Sequence, residues 1–315
     1  MRRTNWSPVT LNDWSIEAYT AGSGDGTQIF TNEYSWFVGI EPERTVIDAA
    51  NGFTLNAAAV LTDVRFDLAT GTGAIGATTL TLTDAANMRH LISGDGNDVL
   101  IGNDAGNILM GGRGTNHIDG GAGLDVVRLI GNYEQHRIEE TDGALVVHKQ
   151  GLAAGGLDVL SNVELLVFAD QVVLANKPAR LDADLFDESA YLAQNPDVAA
   201  AVDQGAVASG RVHYDGWGAA EGRNPNDLFS EHWYLNTYAD VASGVEAGAL
   251  ASGFQHYREF GWAEGRDPSA WMDTSAYLAA NTDVAAAHID PLQHFLLYGV
   301  HEGRTITALD VADWV

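Results

Sequence analysis

A glycine-rich stretch from Ser93 to Asp125 repeats one alternation of polar and apolar positions every nine residues. Each unit begins with a polar half that ends in Asp or Asn, and continues with a short half whose middle residue is apolar. The units start at Ser93, Gly102, Gly111 and Gly120, and the apolar residues are Leu100, Leu109, Ile118 and Val127. Glycine permits the positive φ values of a tight turn, and the short half suffices for a minimal strand with one inward side chain. The pattern predicts stacked turns and strands, with two units to a coil.

The unit resembles the repeats-in-toxin (hemolysin-type) nonapeptide, Gly-Gly-x-Gly-x-Asp-x-apolar-x, of secreted bacterial proteins. With the short strands predicted from Thr45 to Leu91 and the segment from Gly156 to Asp170, residues 45–176 are similar to the C-terminal β-roll of serralysin-type proteases. The resemblance implies a parallel β-roll that folds on binding Ca²⁺ outside the cell. A zinc protease needs two His four residues apart, and the sequence around His301 lacks the second His. The protease domain is therefore not predicted.

Stacked turns would place residues 18 apart next to each other, so that Asp98 faces Asn116 and Asn107 faces Asp125. Ca²⁺ takes about six to eight oxygen ligands from carboxylates and carbonyls. The predicted ligands are these four side chains and the backbone carbonyls of six turn glycines: Gly94, Gly96, Gly112, Gly114, Gly121 and Gly123. Because Asn lacks the charge of Asp, the sites should be few and unequal. The alternative for Asp98 and Asp125 is a turn Asp that bonds its own backbone.

Charge and composition narrow the possible partners. The chain has 16 basic and 43 acidic residues, a net charge of −27, which argues against nucleic acid and suits divalent cations. It has no Cys, so neither a disulfide nor a thiolate metal site is available, and bound Ca²⁺ would be an alternative source of stability. The sequence contains no apolar run of 18 or more residues, so no transmembrane segment is predicted.

The two ends bear on localisation. Residues 1–6 carry two Arg but no apolar run follows them, which is unlike an N-terminal secretory signal. Residues 308–315 mix acidic and apolar side chains and resemble the uncleaved signal of type I secretion; a frayed amphipathic tail is the alternative. We expect a secreted, extracellular or cell-surface protein.

A second repeat of about 43 residues follows a linker at residues 177–184. Its three copies share Tyr-Leu, Asp-Val-Ala, His-aromatic and Glu-Gly-Arg motifs, and their first Tyr residues are Tyr191, Tyr234 and Tyr277. Each copy predicts two or three short helices, and three stacked copies can bury a shared core. The motif resembles a repeat of bacterial secreted calcium-binding proteins and some glycan-related proteins.

The predicted fold class is therefore multidomain β + α: a parallel β-roll or β-helix with capping strands, followed by an all-α domain of three helical repeats. Residues 1–45 would form an N-terminal cap or assembly segment, and 46–176 the calcium-binding β-roll with closing strands. Residues 185–304 would form the helical repeats, and 305–315 the tail that resembles a secretion signal.

Several repeated side chains invite a functional interpretation. His213, His256 and His294 occupy one repeated position, but one per copy is too far apart to share an ion, so a packed, hydrogen-bonded His is favoured over a metal ligand. Glu221 and Arg223, with their repeats, should form ion pairs or cap helices. Aromatic residues such as Trp217 and Trp262 could stack on sugar rings, although core packing is favoured.

No nucleophile–base pair, phosphate loop or paired-carboxylate motif is evident, and no enzymatic activity is predicted. The predicted function is that of a secreted calcium-binding structural or adhesive protein, whose helical repeats mediate interaction or S-layer-like assembly. The alternative is a glycan-binding or enzyme-accessory module. The expected partners are calcium, further copies of the chain and cell-surface polysaccharide.

Overall fold

The computed structural model describes residues 54–309, apart from 59, 84, 142–143, 151–155, 177, 179–180 and 182–183, and also the backbone of four strands before residue 54. It shows a β + α protein with two mixed sheets and a set of helices. The chain divides into two compact units, residues 1–169 and 170–315. Most of the predicted N-terminal segment, and residues 310–315 of the predicted tail, lie outside the described residues.

The first unit consists mainly of short strands. The first eight are β1 (Ser7–Leu11), β2 (Trp14–Ala18), β3 (Gln28–Thr31), β4 (Thr45–Asp48), β5 (Thr54–Asn56), β6 (Val64–Asp67), β7 (Thr72–Ile75) and β8 (Thr78–Thr83). The next nine are β9 (His90–Ile92), β10 (Val99–Ile101), β11 (Ile108–Met110), β12 (Asn116–Asp119), β13 (Val126–Arg128), β14 (His136–Thr141), β15 (Ala144–Lys149), β16 (Leu157–Ser161) and β17 (Leu165–Val167). Short 3₁₀ turns occur at Ala85–Asn87 and Tyr133–Gln135.

Successive strands of the nine-residue repeat alternate between the two sheets. In the first sheet β5, β9, β11, β13 and β17 pair in parallel, and in the second β6, β10, β12 and β16 do the same. The chain therefore returns to the same sheet after 18 residues: Leu100 pairs with Ile118, and Leu109 with Val127. All four side chains are 0% exposed, which confirms that the middle residue of each short half points inward.

Antiparallel strands flank the parallel ones. In the second sheet β14 and β15 form a hairpin in which Thr141 pairs with Ala144, and β15 also pairs with β16. The two residues between these strands in the sequence, Asp142 and Gly143, form a dipeptide that is favoured in hairpin turns, and they lie outside the described residues. Strand β14 begins at His136, directly after the 3₁₀ turn at Tyr133–Gln135. There Gln135 Oε1 accepts from the Asn132 backbone N–H at 2.7 Å.

The second unit contains β18 (Val172–Leu174) and short helices. These are α1 (Glu188–Gln194), α2 (Pro196–Asp203), α3 (Gly210–His213), α4 (Glu231–Thr237), α5 (Ala239–Glu246), α6 (Gly253–His256), α7 (Thr274–Ala280), α8 (Thr282–Ala287), α9 (Pro291–His294) and α10 (Val300–Glu302). After α3, α6 and α9 the helix widens into a π-helical turn, at Tyr214–Gly218, Tyr257–Gly261 and Phe295–Gly299. Side chains cap the first helix of each group: Asp187, Ser230 and Asp273 accept from backbone N–H groups of α1, α4 and α7, as helix N-caps do.

One buried hydrogen bond recurs in this unit. The hydroxyl of a buried Tyr and Nδ1 of a His are 2.8–3.0 Å apart in the pairs Tyr191–His213, Tyr234–His256 and Tyr277–His294. This confirms the prediction of hydrogen-bonded His. A Cβ on the Gly of the adjoining π-helical turn would lie against the same hydroxyl, which accounts for the Gly after each aromatic residue.

The predicted Glu–Arg ion pairs also form. Arg223, Arg266 and Arg304 each contact the Glu two residues earlier at 2.6–2.7 Å. Each also contacts the Asp of the repeated Asp-Val-Ala motif, Asp197, Asp240 or Asp283, at 2.6–2.8 Å. Each of these three guanidinium groups thus links the end of a helical group to the start of the second helix of the same group.

Candidate metal site

The four predicted side-chain ligands lie where the turns lead into β10, β11, β12 and β13. Asp98, Asn107, Asn116 and Asp125 are each 0–1% exposed. The Asp98 N–H donates to Asn116 Oδ1 at 3.0 Å, and the Asn107 N–H donates to Asp125 Oδ1 at 2.7 Å. The structure therefore brings together both pairs that the 18-residue spacing predicts.

The two carboxylates in this set are incompletely hydrogen-bonded. Asp98 Oδ1 accepts from the Val64 N–H at 2.7 Å, and Asp125 Oδ1 accepts from Asn107. The second oxygen of each, Oδ2, is buried and has no hydrogen-bond partner among the described residues. Burial raises the pKa of both carboxyls, and the neighbouring carboxylate of Glu164 raises the pKa of Asp125 further. A buried charge without a partner is costly, so each position favours a bound proton or a cation.

The two Asn residues differ from the Asp residues because their side chains are satisfied within the protein. Asn116 Nδ2 donates to Gly111 O at 2.7 Å and to Asp158 Oδ1 at 2.7 Å. Asn107 Nδ2 donates to Met88 O at 3.2 Å, and its Oδ1 accepts from the Asn103 N–H at 2.8 Å. The two Asn side chains therefore need no ion, whereas Asp98 and Asp125 each keep one buried oxygen that no described residue hydrogen-bonds.

The six predicted glycine ligands lie in the same turns. These positions require glycine for two different steric reasons. Gly114 has a φ of +80°, which an L side chain rarely adopts; Gly112, Gly121 and Gly123 also have positive φ. Gly94 has an ordinary φ, but a Cβ there would collide with the carbonyl of Val60, and Gly96 is crowded in the same way by Thr62. The Gly94 carbonyl accepts from the Arg113 N–H at 2.9 Å, so it also holds one turn to the next.

Two further acidic residues continue the pattern. Asp158 stands opposite Asn116 in the register of β12 and β16, and Leu165 stands opposite Val126 in β13 and β17. The residue before Leu165 is Glu164, whose Oε2 accepts from the Asp125 N–H at 2.7 Å. Sequence reasoning missed both as site residues. A signal was present for Asp158, since Gly156-Leu157-Asp158-Val159 repeats Gly123-Leu124-Asp125-Val126.

A lysine also enters the turns. Lys149 Nζ donates to Gly112 O at 2.6 Å and is 2.6 Å from Asp158 Oδ1. No periodicity pointed to Lys149, because it lies outside the nine-residue repeat. Two of the predicted calcium ligands, the carbonyls of Gly112 and Gly114, therefore face an ammonium group of the chain itself.

Among the described residues, no three His, Asp, Glu or Cys side chains are grouped so that they could hold a metal ion. A hard cation at these turns would take part of its ligands from backbone carbonyls, which suit Ca²⁺.

The described helices include none long and apolar enough to cross a membrane. No protein-family model matches this chain, and no curated protein matches it.

The second unit displays a set of exposed aromatic side chains. Trp217, Phe260 and Tyr298 occupy corresponding places in the three π-helical turns and are 56%, 48% and 52% exposed. Each ring lies 5.8 Å, centroid to centroid, from the His four residues earlier. The expectation of core packing for Trp217 is therefore wrong: its indole contacts the His213 ring but is more than half exposed.

Proposed function

We propose that residues 46–176 form a calcium-binding parallel β-roll of the repeats-in-toxin type, and that the protein is a secreted structural or adhesive protein. Residues 185–304 would then be three helical repeats that mediate interaction or assembly. The observation that carries the proposal is the pair of buried oxygens, Asp98 Oδ2 and Asp125 Oδ2, that have no hydrogen-bond partner among the described residues.

These two oxygens belong to the two residues of the repeat that keep the Asp of the nonapeptide. Where the chain has Asn in the equivalent place, the side chain is satisfied by hydrogen bonds. An ion bound at Asp98 or Asp125 would compensate the carboxylate, and near Asp125 it would also relieve the repulsion from Glu164. The chain's own charge pattern thus supports a cation at the Asp positions.

Oxygen ligands narrow the choice of cation. Carboxylates and turn carbonyls suit Ca²⁺ and Mg²⁺ better than zinc or copper. Ca²⁺ accepts many carbonyl ligands in flexible geometry, whereas Mg²⁺ retains water and demands an octahedron. The ligands come from different coils, so the unfolded chain has no such site, and the ion would stabilise the folded state. That gain is about 2.7 kcal/mol at a free ion concentration roughly 100 times Kd.

The test is thermal unfolding of the full chain in EDTA, in millimolar Ca²⁺ and in millimolar Mg²⁺. We expect the Tm to rise in Ca²⁺ and to rise less in Mg²⁺, and titration calorimetry to show saturable Ca²⁺ binding. An unchanged Tm in Ca²⁺ would contradict the calcium function. Export is tested separately, by deleting residues 305–315 and measuring the amount of protein outside cells that carry a type I secretion system.

The exposed aromatic set favours a second candidate, a glycan-binding module. Trp217, Phe260 and Tyr298 present one ring in each helical group, and an aromatic face can stack on a sugar ring. A glycan array tests this candidate, with Trp217→Ala, Phe260→Ala and Tyr298→Ala as variants. Val212→Ala is the control, because Val212 is equally exposed, at 49%, and aliphatic. Binding that is absent, or unaffected by the aromatic variants, would exclude this use of the surface.

A further inference from the structure

The ammonium of Lys149 lies among oxygens of the stacked turns. Its Nζ is 2.6 Å from Gly112 O, 3.5 Å from Gly114 O and 2.6 Å from Asp158 Oδ1. The side chains of Lys149 and Asp158 are 2% and 1% exposed. Two turn carbonyls and one carboxylate, the kinds of ligand predicted for calcium in this repeat, therefore surround a single buried positive charge.

The hairpin of β14 and β15 positions the Lys149 ammonium. Lys149 is the last residue of β15, and its backbone N–H donates to Gly156 O at 3.0 Å. Gly156 lies just before β16 with a φ of +115°, and a Cβ there would collide with Gly114 O. The close approach of the two turns therefore depends on Gly156 and leaves the carbonyls within reach of Lys149.

Asp158 differs from the other Asp residues of the repeat in one respect. Asp98 and Asp125 each keep a buried oxygen with no hydrogen-bond partner among the described residues, whereas neither oxygen of Asp158 is in that state. Asp158 Oδ1 accepts from both Lys149 and Asn116. Burial raises the pKa of Asp158, and the Lys149 ammonium opposes that rise. The charge of the Asp158 carboxylate is thus compensated by a side chain of the protein itself.

We propose that Lys149 is a built-in cation that takes the place of a metal ion between the turn of residues 111–116 and Asp158. The last coil of this stack then closes without calcium, while the turns that contain Asp98 and Asp125 depend on the ion. The inference rests on the proposed calcium function and deepens it, because it states which part of the stack needs the ion.

The experiment compares two variants of the full chain that both remove the charge. Lys149→Ala also leaves space for an ion, whereas Lys149→Met fills most of the space that the lysine occupied. In EDTA both variants should melt about 10 °C below the wild type, because the buried Asp158 loses its counter-ion. In millimolar Ca²⁺, Lys149→Ala should recover at least half of that loss and bind one more Ca²⁺ than the wild type by titration calorimetry. Lys149→Met should gain neither.

A further variant locates the additional ion. In Lys149→Ala combined with Asp158→Asn the extra Ca²⁺ should be lost; its retention would overturn the proposal, because the ion would then bind elsewhere. The proposal is equally overturned if Lys149→Ala binds no additional Ca²⁺, if Lys149→Met gains as much as Lys149→Ala, or if Lys149→Ala fails to fold in both EDTA and Ca²⁺.

The two proposals fail in different ways. If Ca²⁺ leaves the Tm of the wild type unchanged but restores Lys149→Ala, the calcium function fails and the role of Lys149 stands. If the wild type responds to Ca²⁺ while Lys149→Ala gains no ion, only the Lys149 inference fails.

Discussion

The backbone N–H of Asn107 donates to Oδ1 of Asp125 at 2.7 Å, and the other oxygen of that carboxylate is buried with no hydrogen-bond partner among the described residues. The hydrogen bond links the turn before β11 to the turn before β13 and holds the carboxylate in place. Burial of the second oxygen keeps water from compensating its charge. The position therefore stabilises the fold through one oxygen and destabilises it through the other until a proton or a cation binds.

Replacing either Asp by Asn should act with opposite sign in the two metal conditions. In EDTA at neutral pH, Asp98→Asn or Asp125→Asn should raise the free energy of unfolding by about 1–3 kcal/mol, because a buried, unpaired charge is removed. In Ca²⁺ the same variants should lose the ion-dependent gain in Tm. Denaturant unfolding in EDTA and in Ca²⁺ measures both effects.

Asp95→Asn and Asp104→Asn are matched controls for that experiment. Both residues are exposed: Asp95 lies in the turn that ends at Asp98, and Asp104 in the turn that ends at Asn107. Each control therefore removes one charge without touching a buried carboxylate. The controls should keep the calcium response of the wild type. Equal loss of that response in controls and variants would show that net charge, rather than the site, governs it.

The stability of the metal-free protein should fall as the pH rises from mild acid. Burial raises the pKa of Asp98 and Asp125 above the unfolded value of 3.8, so the folded state holds its protons more tightly. Their contribution is complete below the unfolded pKa and is lost as the pH rises through the folded pKa. In EDTA, the free energy of unfolding should therefore be larger near pH 4, close to the unfolded pKa, than near pH 8.

Calcium should reverse this trend, because the ion competes with the proton and binds more tightly as the pH rises. Denaturant unfolding at several pH values, with and without Ca²⁺, measures the dependence. The double variant Asp98→Asn/Asp125→Asn isolates the contribution of these two groups from the general repulsion of an acidic chain. An identical pH dependence in the wild type and the double variant would contradict the assignment.

A separate pH dependence is expected from Asp227 in the second unit. Burial and the nearby carboxylate of Asp187 raise the pKa of Asp227 to about 7, although Gln194 donates to its Oδ1 at 2.8 Å. The stabilisation from the neutral carboxyl is complete below the unfolded pKa of 3.8 and disappears as the pH rises through the folded pKa of about 7. Asp227→Asn should therefore raise the Tm above pH 7 and flatten its pH profile, as calorimetry can show. Asp203→Asn, at an exposed helix end, should leave the profile unchanged.

The pairing of Gly261 with Tyr234 predicts strong coupling between two substitutions. Gly261→Ala would push a methyl group against the Tyr234 hydroxyl, and Tyr234→Phe would remove the hydroxyl's hydrogen bond to His256, at a cost of about 1 kcal/mol. Because Phe leaves room for the methyl group, the double variant should be less destabilised than the sum, with a coupling of about 1 kcal/mol or more. Gly216→Ala, with nothing within 4 Å of its Cβ, should not destabilise. Additive effects at Gly261 and Tyr234 would contradict the contact.

Local patterns predicted much of the candidate site. The nine-residue period placed Leu100 opposite Ile118 and Asp98 beside Asn116, because a coil of constant length puts every eighteenth residue in the same place. The same reasoning identified the hydrogen-bonded His and the paired Glu and Arg of the second unit, where one contact recurs at corresponding positions.

Other features had no local signal. Whether Trp217 is covered depends on the packing around its helical turn, and the difference between the Asp and Asn positions depends on which oxygens find a donor.

The sequence alone determined which residues stand above one another, because that follows from the length of a repeat and the alternation of its side chains. Only the tertiary structure decided how their charges are compensated. Lys149 reaches Gly112 and Asp158 because β15 runs antiparallel to β16 and ends beside Gly156. That register joins residues 37 positions apart, Lys149 and Gly112, and no spacing within the repeat encodes it. The compensation of a buried charge depends on every group around it in space, and the periodic pattern covers only some of those groups.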